Sequence, residues 1–433
     1  MREIIRQSED KRVEKLVITG GYPLQGKVRV AGAKNAVLPL MAATLMLTGE
    51  TVLEEVPALE DVDTMVQVLA YLGIEARSDV PGQLCLKPAA EGVVAAPYEL
   101  VRRMRASFLV LGPLLACRGR AEIPLPGGCA IGTRPVDLHL KGMQALGAEV
   151  VLNQGTISAR AGRLKGCHIY LDFPSVGATE NILMAATLAG GETVIENAAV
   201  EPEVVDLANF LSGAGAKIKG AGTSIVRVKG VKELRGTRHS IIPDRIEAGT
   251  FMVAAAITGG SVTVENVVYE HLKPVVAKLM EMGCSVSVLE SGDALRVDAP
   301  SGLKAVDIKT MPYPGFPTDM QSPFLALATQ TQGTSVVTET VFENRFLLVP
   351  ELKRLGANVR TEGRTAVIEG KTPLTGAKVK APDLRGGAAL ILAALVAQGE
   401  TEVHNLYHVK RGYENLEEKL AGLGARVRLV VDN

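Results

Sequence analysis

Runs of alternating apolar and polar residues give way along this chain to helical stripes and then to alternation again, and the cycle recurs six times at a spacing of about 70 residues. Each cycle opens on a glycine turn feeding a β run: TGETVLEEV (48–56), RGRAEIPLPGG (118–128), GGETVIENAAV (190–200), GGSVTVENVVY (259–269), QGTSVVTETVF (332–342) and QGETEVHNLYH (398–408). A loop follows, then a helix with apolar residues at i, i+4 and i+7, as at Leu348, Leu352 and Leu355 or Leu416, Leu420 and Leu423, so that each buries one stripe. These helices stop at LGIEA, LGAEV, AGAKI, MGCSV, LGANV and LGARV, where Gly73, Gly147, Gly215, Gly283, Gly356 and Gly424 are expected in the left-handed position after the last turn. Alternating stretches after each stop, such as AEVVLN followed by TISARAG, predict a β-hairpin.

A second helix in each cycle is apolar nearly all round: AVLPLMAATL, ASFLVLGPLLA, ENILMAATLA, GTFMVAAAI, SPFLALAT and GAALILAALVA. Such helices are expected to be buried on most sides. The sixth cycle ends at RVRLVVDN without a hairpin partner, and EKLVITGG (14–21) is the natural substitute. The expected fold class is therefore α/β (α+β), with two domains of three units each. Residues 1–32 and 243–433 form one, including the N-terminal strand, and 33–242 form the other.

A chain of 433 residues with 47% hydrophobic and 22% charged residues is long enough for two or three ordinary globular cores. Its 47 basic and 47 acidic side chains cancel, so no global field draws it to nucleic acid or a membrane surface, and an anionic ligand must be held by local cations. The start MREIIRQSEDKR lacks the apolar core of a signal peptide, and FLVLGPLLAC (108–117) falls short of the roughly 20 residues a membrane span needs. A cytoplasmic protein without membrane insertion is expected. Five cysteines with no C-x-x-C pair argue against a disulfide framework or a zinc site. The six histidines show no metal-ligand spacing, and no phosphate-loop or dinucleotide fingerprint occurs, so no metal or cofactor is expected.

Where one copy departs from the others, packing no longer explains the residue. Four of the apolar helices start beside a cation, Lys34, Arg105, Arg245 or Arg385, although a helix start already carries the positive end of its dipole. A bound anion or a carboxylate from a neighbouring unit would each compensate; the recurrence favours a ligand. The second cycle alone has the loop LPGGCAIGTRPVD (125–137), with adjacent glycines that confer mobility and Cys129 at its tip. Arg134 would favour the thiolate of a reactive cysteine, whereas a buried structural thiol is the plainer reading. The sixth cycle places Lys410 and Arg411 at the same structural point. Cys85, Cys117, Cys167 and Cys284 are read as core, and His139 follows the cysteine loop as a possible partner for the thiol.

GAKNAVLP, PGGCAIGTRPVDLH, SVGATEN, PDRIEAGTF, FPTDMQ, TETVFENRF, DLR and HVKRGYE, in this order, closely resemble the UDP-N-acetylglucosamine 1-carboxyvinyltransferase family over nearly the whole chain. The resemblance implies two inside-out α/β barrel domains of three repeats, helices inside and sheets outside. It implies transfer of the enolpyruvyl group of phosphoenolpyruvate to the 3′-hydroxyl of UDP-N-acetylglucosamine with release of phosphate, the first committed step of peptidoglycan precursor synthesis. Carried over residue by residue, Lys34, Arg134, Arg385 and Arg411 clamp phosphoenolpyruvate, and Asn35 and Arg105 line the site. Cys129 donates a proton to the enol methylene, and Asp319 deprotonates the sugar hydroxyl. The sugar nucleotide is implied to bind Arg134, Pro135, Val136, Asp137 and Leu138, then Ser175, Val176 and Gly177, and the main chain of Val341. Phe173 stands where some members carry a lysine.

The related shikimate-pathway transferase would show a D-K-S-type start to the first apolar helix, where this chain has Lys34-Asn35. A silent sugar-nucleotide-binding paralogue would not need Cys129, Asp319 and the basic residues together. The cysteine loop and the basic loop of the sixth cycle come from opposite trios, which places the expected site in the cleft between them. Fosfomycin, a covalent inhibitor that alkylates this cysteine in the family, should add its mass to the peptide containing Cys129; an unmodified peptide after complete exposure, read by mass spectrometry, refutes a reactive thiol.

Overall fold

In a computed structural model of the chain, the described residues are 13–89, 93–126, 131–132 and 136–432, so Cys129, Arg134 and Pro135 lie outside them. The chain divides into two compact units. Unit 1 comprises the chain up to Val30 with Ile246–Met311 and Phe316–Asn433, and unit 2 comprises Ala31–Arg245 with Pro312–Gly315. That tetrapeptide, from the fifth repeat, has its Tyr313 N–H on Glu201 Oε1 at 3.4 Å and its Tyr313 ring under the Arg245 guanidinium at 5.5 Å.

In unit 1 the helices Arg245–Thr258, Gln321–Ala328 and Leu384–Ala394 are buried along nearly their whole length, as sequences with no polar face require. Three sheets surround them. Their strand orders are Lys378–Lys380, Glu400–His404, Val13–Thr19, Arg426–Asp432; then Ser285–Val288, Ala294–Asp298, Ser261–Glu265, Gln25–Arg29; then Leu303–Lys304, Thr331–Thr338, Thr365–Gly370, Val359–Glu362, with Ile308–Lys309 also on Thr331–Thr338. Unit 2 repeats the plan around Lys34–Ala43, Leu111–Arg118 and Val176–Leu188. Its larger sheets are Arg238–Ser240, Thr51–Glu54, Gln83–Pro88, Ile74–Arg77; Arg120–Pro124, Thr156–Arg160, Glu149–Asn153; and His168–Tyr170, Glu192–Glu196, Ile225–Lys229, Lys217–Lys219, and Leu234–Arg235 pairs with Leu47–Thr48 in a two-stranded one. Helices lie inside and sheets outside, but among the described residues the sheets stay separate and close no barrel.

The hairpin after each stop glycine forms because the glycine takes a conformation that side chains resist: the six φ values run from 90° to 107°. In the sixth repeat the hairpin partner is borrowed. Val13–Thr19 lies antiparallel between Glu400–His404 and Arg426–Asp432, with Ile18 opposite Thr401 on one side and Val427 on the other. Of the cysteines read as core, only Cys284 is buried, and burial pushes its thiol up to about 11. Cys85, in the strand Gln83–Pro88, and Cys167, just before the strand His168–Tyr170, are half-buried, and Cys117 is exposed in the last turn of its helix, which corrects that expectation.

Because the borrowed strand is central to its sheet, Ile18→Ala should lower stability by about 2–5 kcal/mol in urea unfolding, through lost apolar burial and a cavity. Val431→Ala, on the exposed part of the same sheet, should stay within about 0.5 kcal/mol. Equal effects would show that the N-terminal strand is not packed into this core.

Candidate active site

The cations at the helix starts are the first chemistry to place. Lys34, the first residue of its helix, sends its buried ammonium to Asp61 Oδ2 at 2.8 Å, while its N–H is capped by Asp244 Oδ2 at 3.2 Å. Arg245 bonds Glu203 in bidentate fashion, Nε to Oε1 at 3.0 Å and Nη2 to Oε2 at 3.3 Å. Arg385 follows the capping residue Asp383, whose Oδ1 accepts from the N–H groups of Arg385 and Gly386 at 2.9 Å. Its guanidinium reaches Asp319 Oδ2 through Nε at 3.2 Å and Nη2 at 3.1 Å. A carboxylate of its own unit therefore meets each of these three cations, so their position does not by itself demand a bound anion. Arg105 is half-buried at the start of the 3-10 turn Arg105–Val110.

Asp319 sits on the 3-10 turn Thr318–Met320, with its two oxygens divided between two buried arginines. Arg345 Nη2 donates to Oδ1 at 2.5 Å, and Arg385 takes Oδ2. Each guanidinium is backed by an aromatic ring, Phe342 at 5.4 Å under Arg345 and Tyr413 at 5.2 Å under Arg385. Burial alone would raise the Asp319 carboxyl, but the charges and hydrogen bonds of Arg385 and Arg345 outweigh it and hold the group far below the usual carboxylate range. In this arrangement Asp319 is a firmly held anion and a poor proton acceptor.

Glu339 is buried and accepts from Thr310 Oγ1 and Thr318 Oγ1, each at 2.9 Å, and from the N–H groups of Val341 at 2.7 Å and Phe342 at 3.1 Å. It thereby ties the turn carrying Val341 to the turn carrying Asp319. A main-chain contact from Val341 to a ligand would fall to its carbonyl. Arg411 is half-buried just after the short helix Tyr407–Lys410, and the ammonium of Lys410 pairs with Glu14.

In unit 2, Asn181 organises the start of the helix Val176–Leu188. Its Oδ1 accepts from Gly112 N–H at 2.6 Å, so its amide hydrogens point to Phe108 O and His139 Nδ1, both at 3.0 Å. His139 Nδ1 must then accept, which makes the ring neutral with its proton on Nε2. The ring is buried edge-on to Phe108, centroids 5.1 Å apart, and a Cβ at Gly177 would stand 3.1 Å from its Cε1. Ser175 caps the helix by accepting from Ala178 N–H at 3.4 Å, and Val176 and Gly177 are half-buried beside it. Val136 is buried, and Asp137 and Leu138 begin the helix Asp137–Ala145 that carries His139. Asn35, Asp137 and Phe173 face solvent.

The structure thus joins Asp319 to Arg385, and the Ser175–Gly177 turn to the helix of Asp137 and Leu138. Sequence reasoning missed Asp61, Arg345, Glu339 and Glu203. Arg345 stood inside TETVFENRF as the one cation of its link, and that oddity was the available signal. Among the described residues no group of His, Cys, Asp and Glu is placed to hold a metal ion, and no helix is long and apolar enough to cross a membrane. Deeper in unit 2, Glu180 is buried with no described group donating to its Oε1. Burial, then the neighbouring Glu203 and Glu201, lifts its carboxyl well above the ordinary 4.5.

Residues 18–420 match the family model described as EPSP synthase (3-phosphoshikimate 1-carboxyvinyltransferase), which defines the class as carboxyvinyl transferases. In structure the chain is similar to the enolpyruvyl transferase NikO from Streptomyces tendae, at 26% identity and a TM-score of 0.88 over 98% of this chain and 100% of the other. It is 58% identical over 413 residues to UDP-N-acetylglucosamine 1-carboxyvinyltransferase 1 of Caldanaerobacter subterraneus subsp. tengcongensis, covering 95% of this chain and 99% of the relative. It is 59% identical over 420 residues to UDP-N-acetylglucosamine 1-carboxyvinyltransferase 2 of Carboxydothermus hydrogenoformans, covering 97% and 100%. The chain belongs to the UDP-N-acetylglucosamine 1-carboxyvinyltransferase family.

Glu180 gives a pH dependence of known sign. A carboxyl raised in the folded state contributes stability that is fully present below its unfolded value near 4.5 and is lost as pH rises through the folded value. Glu180→Gln keeps the shape without the titration, so relative to wild type it should gain stability as pH rises above about 4.5. Parallel pH profiles of unfolding for the two proteins would refute this.

Proposed function

We propose that this chain transfers the enolpyruvyl group of phosphoenolpyruvate to the 3′-hydroxyl of UDP-N-acetylglucosamine by addition and elimination, releasing phosphate. This is the first committed step of peptidoglycan precursor synthesis, carried out in the bacterial cytoplasm. The observation that carries the reading is identity of 58% and 59%, over nearly the full length of both chains, with relatives bearing the name of that activity.

The roles follow from the chemistry available. Both substrates are anionic, and Lys34, Arg134, Arg385 and Arg411 supply the charge for phosphoenolpyruvate, with Asn35 and Arg105 beside them. Asp319 takes the proton of the sugar hydroxyl, and Cys129 gives one to the methylene carbon of the enolpyruvyl group, a task for which a thiol is suited because its pKa is readily tuned. Arg134 to Leu138, Ser175 to Gly177 and the carbonyl of Val341 hold the sugar nucleotide. The capped but otherwise uncharged start of Val176–Leu188 favours an anion such as the diphosphate. Fosfomycin is the covalent inhibitor expected at Cys129.

The discriminating assay measures phosphate release from phosphoenolpyruvate with each acceptor. Release should require UDP-N-acetylglucosamine. Release with shikimate 3-phosphate instead would transfer the chain to the other carboxyvinyl transferases and overturn the reading.

A further inference from the structure

The contact between Asp319 and Arg385 raises a difficulty for the proposed reaction. The same guanidinium is assigned to the anionic co-substrate, and the same carboxylate is assigned to the sugar hydroxyl, yet each occupies the other. The two arginines are the buried members of the trio, with side chains 3% and 4% exposed, while the Asp319 side chain is 25% exposed. The carboxylate is therefore the part that faces outward, and an anion reaching this edge of Arg385 meets Asp319 first. Arg345 holds the other oxygen on a shorter bond, and its own ring support comes from Phe342, on the turn that Glu339 fixes.

We propose that Asp319 keeps Arg385 in reserve and that the anionic co-substrate binds by exchanging for Asp319 on that guanidinium, while Arg345 acts as a positioning residue that retains the carboxylate. The inference rests on the proposed roles of Asp319 and Arg385. Its consequence is an order of events. Before exchange the carboxylate is neutralised by two cations and has little affinity for a proton. After exchange it keeps one, so its basicity rises only when the anion is in place. Idle deprotonation of the sugar hydroxyl is avoided, and the base is switched on by the arrival of its reaction partner.

The test is anion affinity, which does not depend on turnover. Inorganic phosphate and phosphoenolpyruvate are titrated into wild type, Asp319→Asn, Arg385→Gln and the double variant, by calorimetry or ligand-dependent melting. Removing the competing carboxylate should tighten phosphate binding by about tenfold, the size of one charged hydrogen-bonded contact. In the Arg385→Gln background the same change should alter affinity by no more than about twofold, because the exchanged partner is gone. Unchanged or weaker phosphate binding in Asp319→Asn, or equal tightening with and without Arg385, overturns the proposal. Should Asp319→Asn lack a cooperative melting transition, Arg345→Gln carries the test. It leaves Asp319 wholly on Arg385, so phosphate should bind several-fold more weakly, and unchanged affinity overturns the exchange. A failure of wild type to release phosphate with UDP-N-acetylglucosamine would remove the proposed reaction and leave the ion exchange standing.

Discussion

A helix that is apolar on every face is stable in water only if it is covered on every face. That constraint organises each unit. Ala36–Ala43, Ala178–Thr187, Ile246–Ile257 and Arg385–Ala394 are runs buried without a break, and no single amphipathic layer can enclose such a helix. Three repeats, each bringing one helix inward and one sheet outward, satisfy it. A missing strand would open one side of this enclosure, which is why the sixth repeat takes Val13–Thr19 from the far end of the chain.

Burial of that kind pushes the polar chemistry to the helix ends, where backbone N–H groups lack helical partners. The two units meet this demand differently. Unit 1 gathers charge, with Asp319 between Arg345 and Arg385 and Glu247 against Lys419. Breaking a buried pair from one side costs about 3–5 kcal/mol, so these carboxylates are as necessary to folding as to any later use. At the start of Val176–Leu188, unit 2 relies on neutral groups, the Ser175 hydroxyl, the Asn181 amide and a His139 ring whose proton is placed by Asn181.

What could be read from sequence was what local rules govern. The stop glycines, the hairpins and the wholly apolar helices each depend on residues within one turn or one strand, and the orphan strand at the C-terminus identified its own partner by elimination. The ion pairs were not legible, because Asp319 and Arg385 lie 66 positions apart and no periodicity connects them. Recurrent cations at helix starts pointed toward a ligand when carboxylates of the same unit were equally able to meet Lys34, Arg245 and Arg385. Cys117 was misread for a related reason: an apolar helix can still turn one residue of its last turn to solvent.

Glu180 connects the neutral character of unit 2 to its chemistry. It lies in the second turn of Val176–Leu188, a helix with no acidic residue in its first turn. An ionised carboxylate there would offset the positive end of the helix dipole and weaken its attraction for an anion. Burial, with Glu203 and Glu201 nearby, favours the protonated form, and Arg245 is already engaged by Glu203. The shift toward the neutral acid lessens that offset at the helix start. In unit 1 the corresponding restraint is a charge held by a counter-charge. In unit 2 it is a charge that burial disfavours.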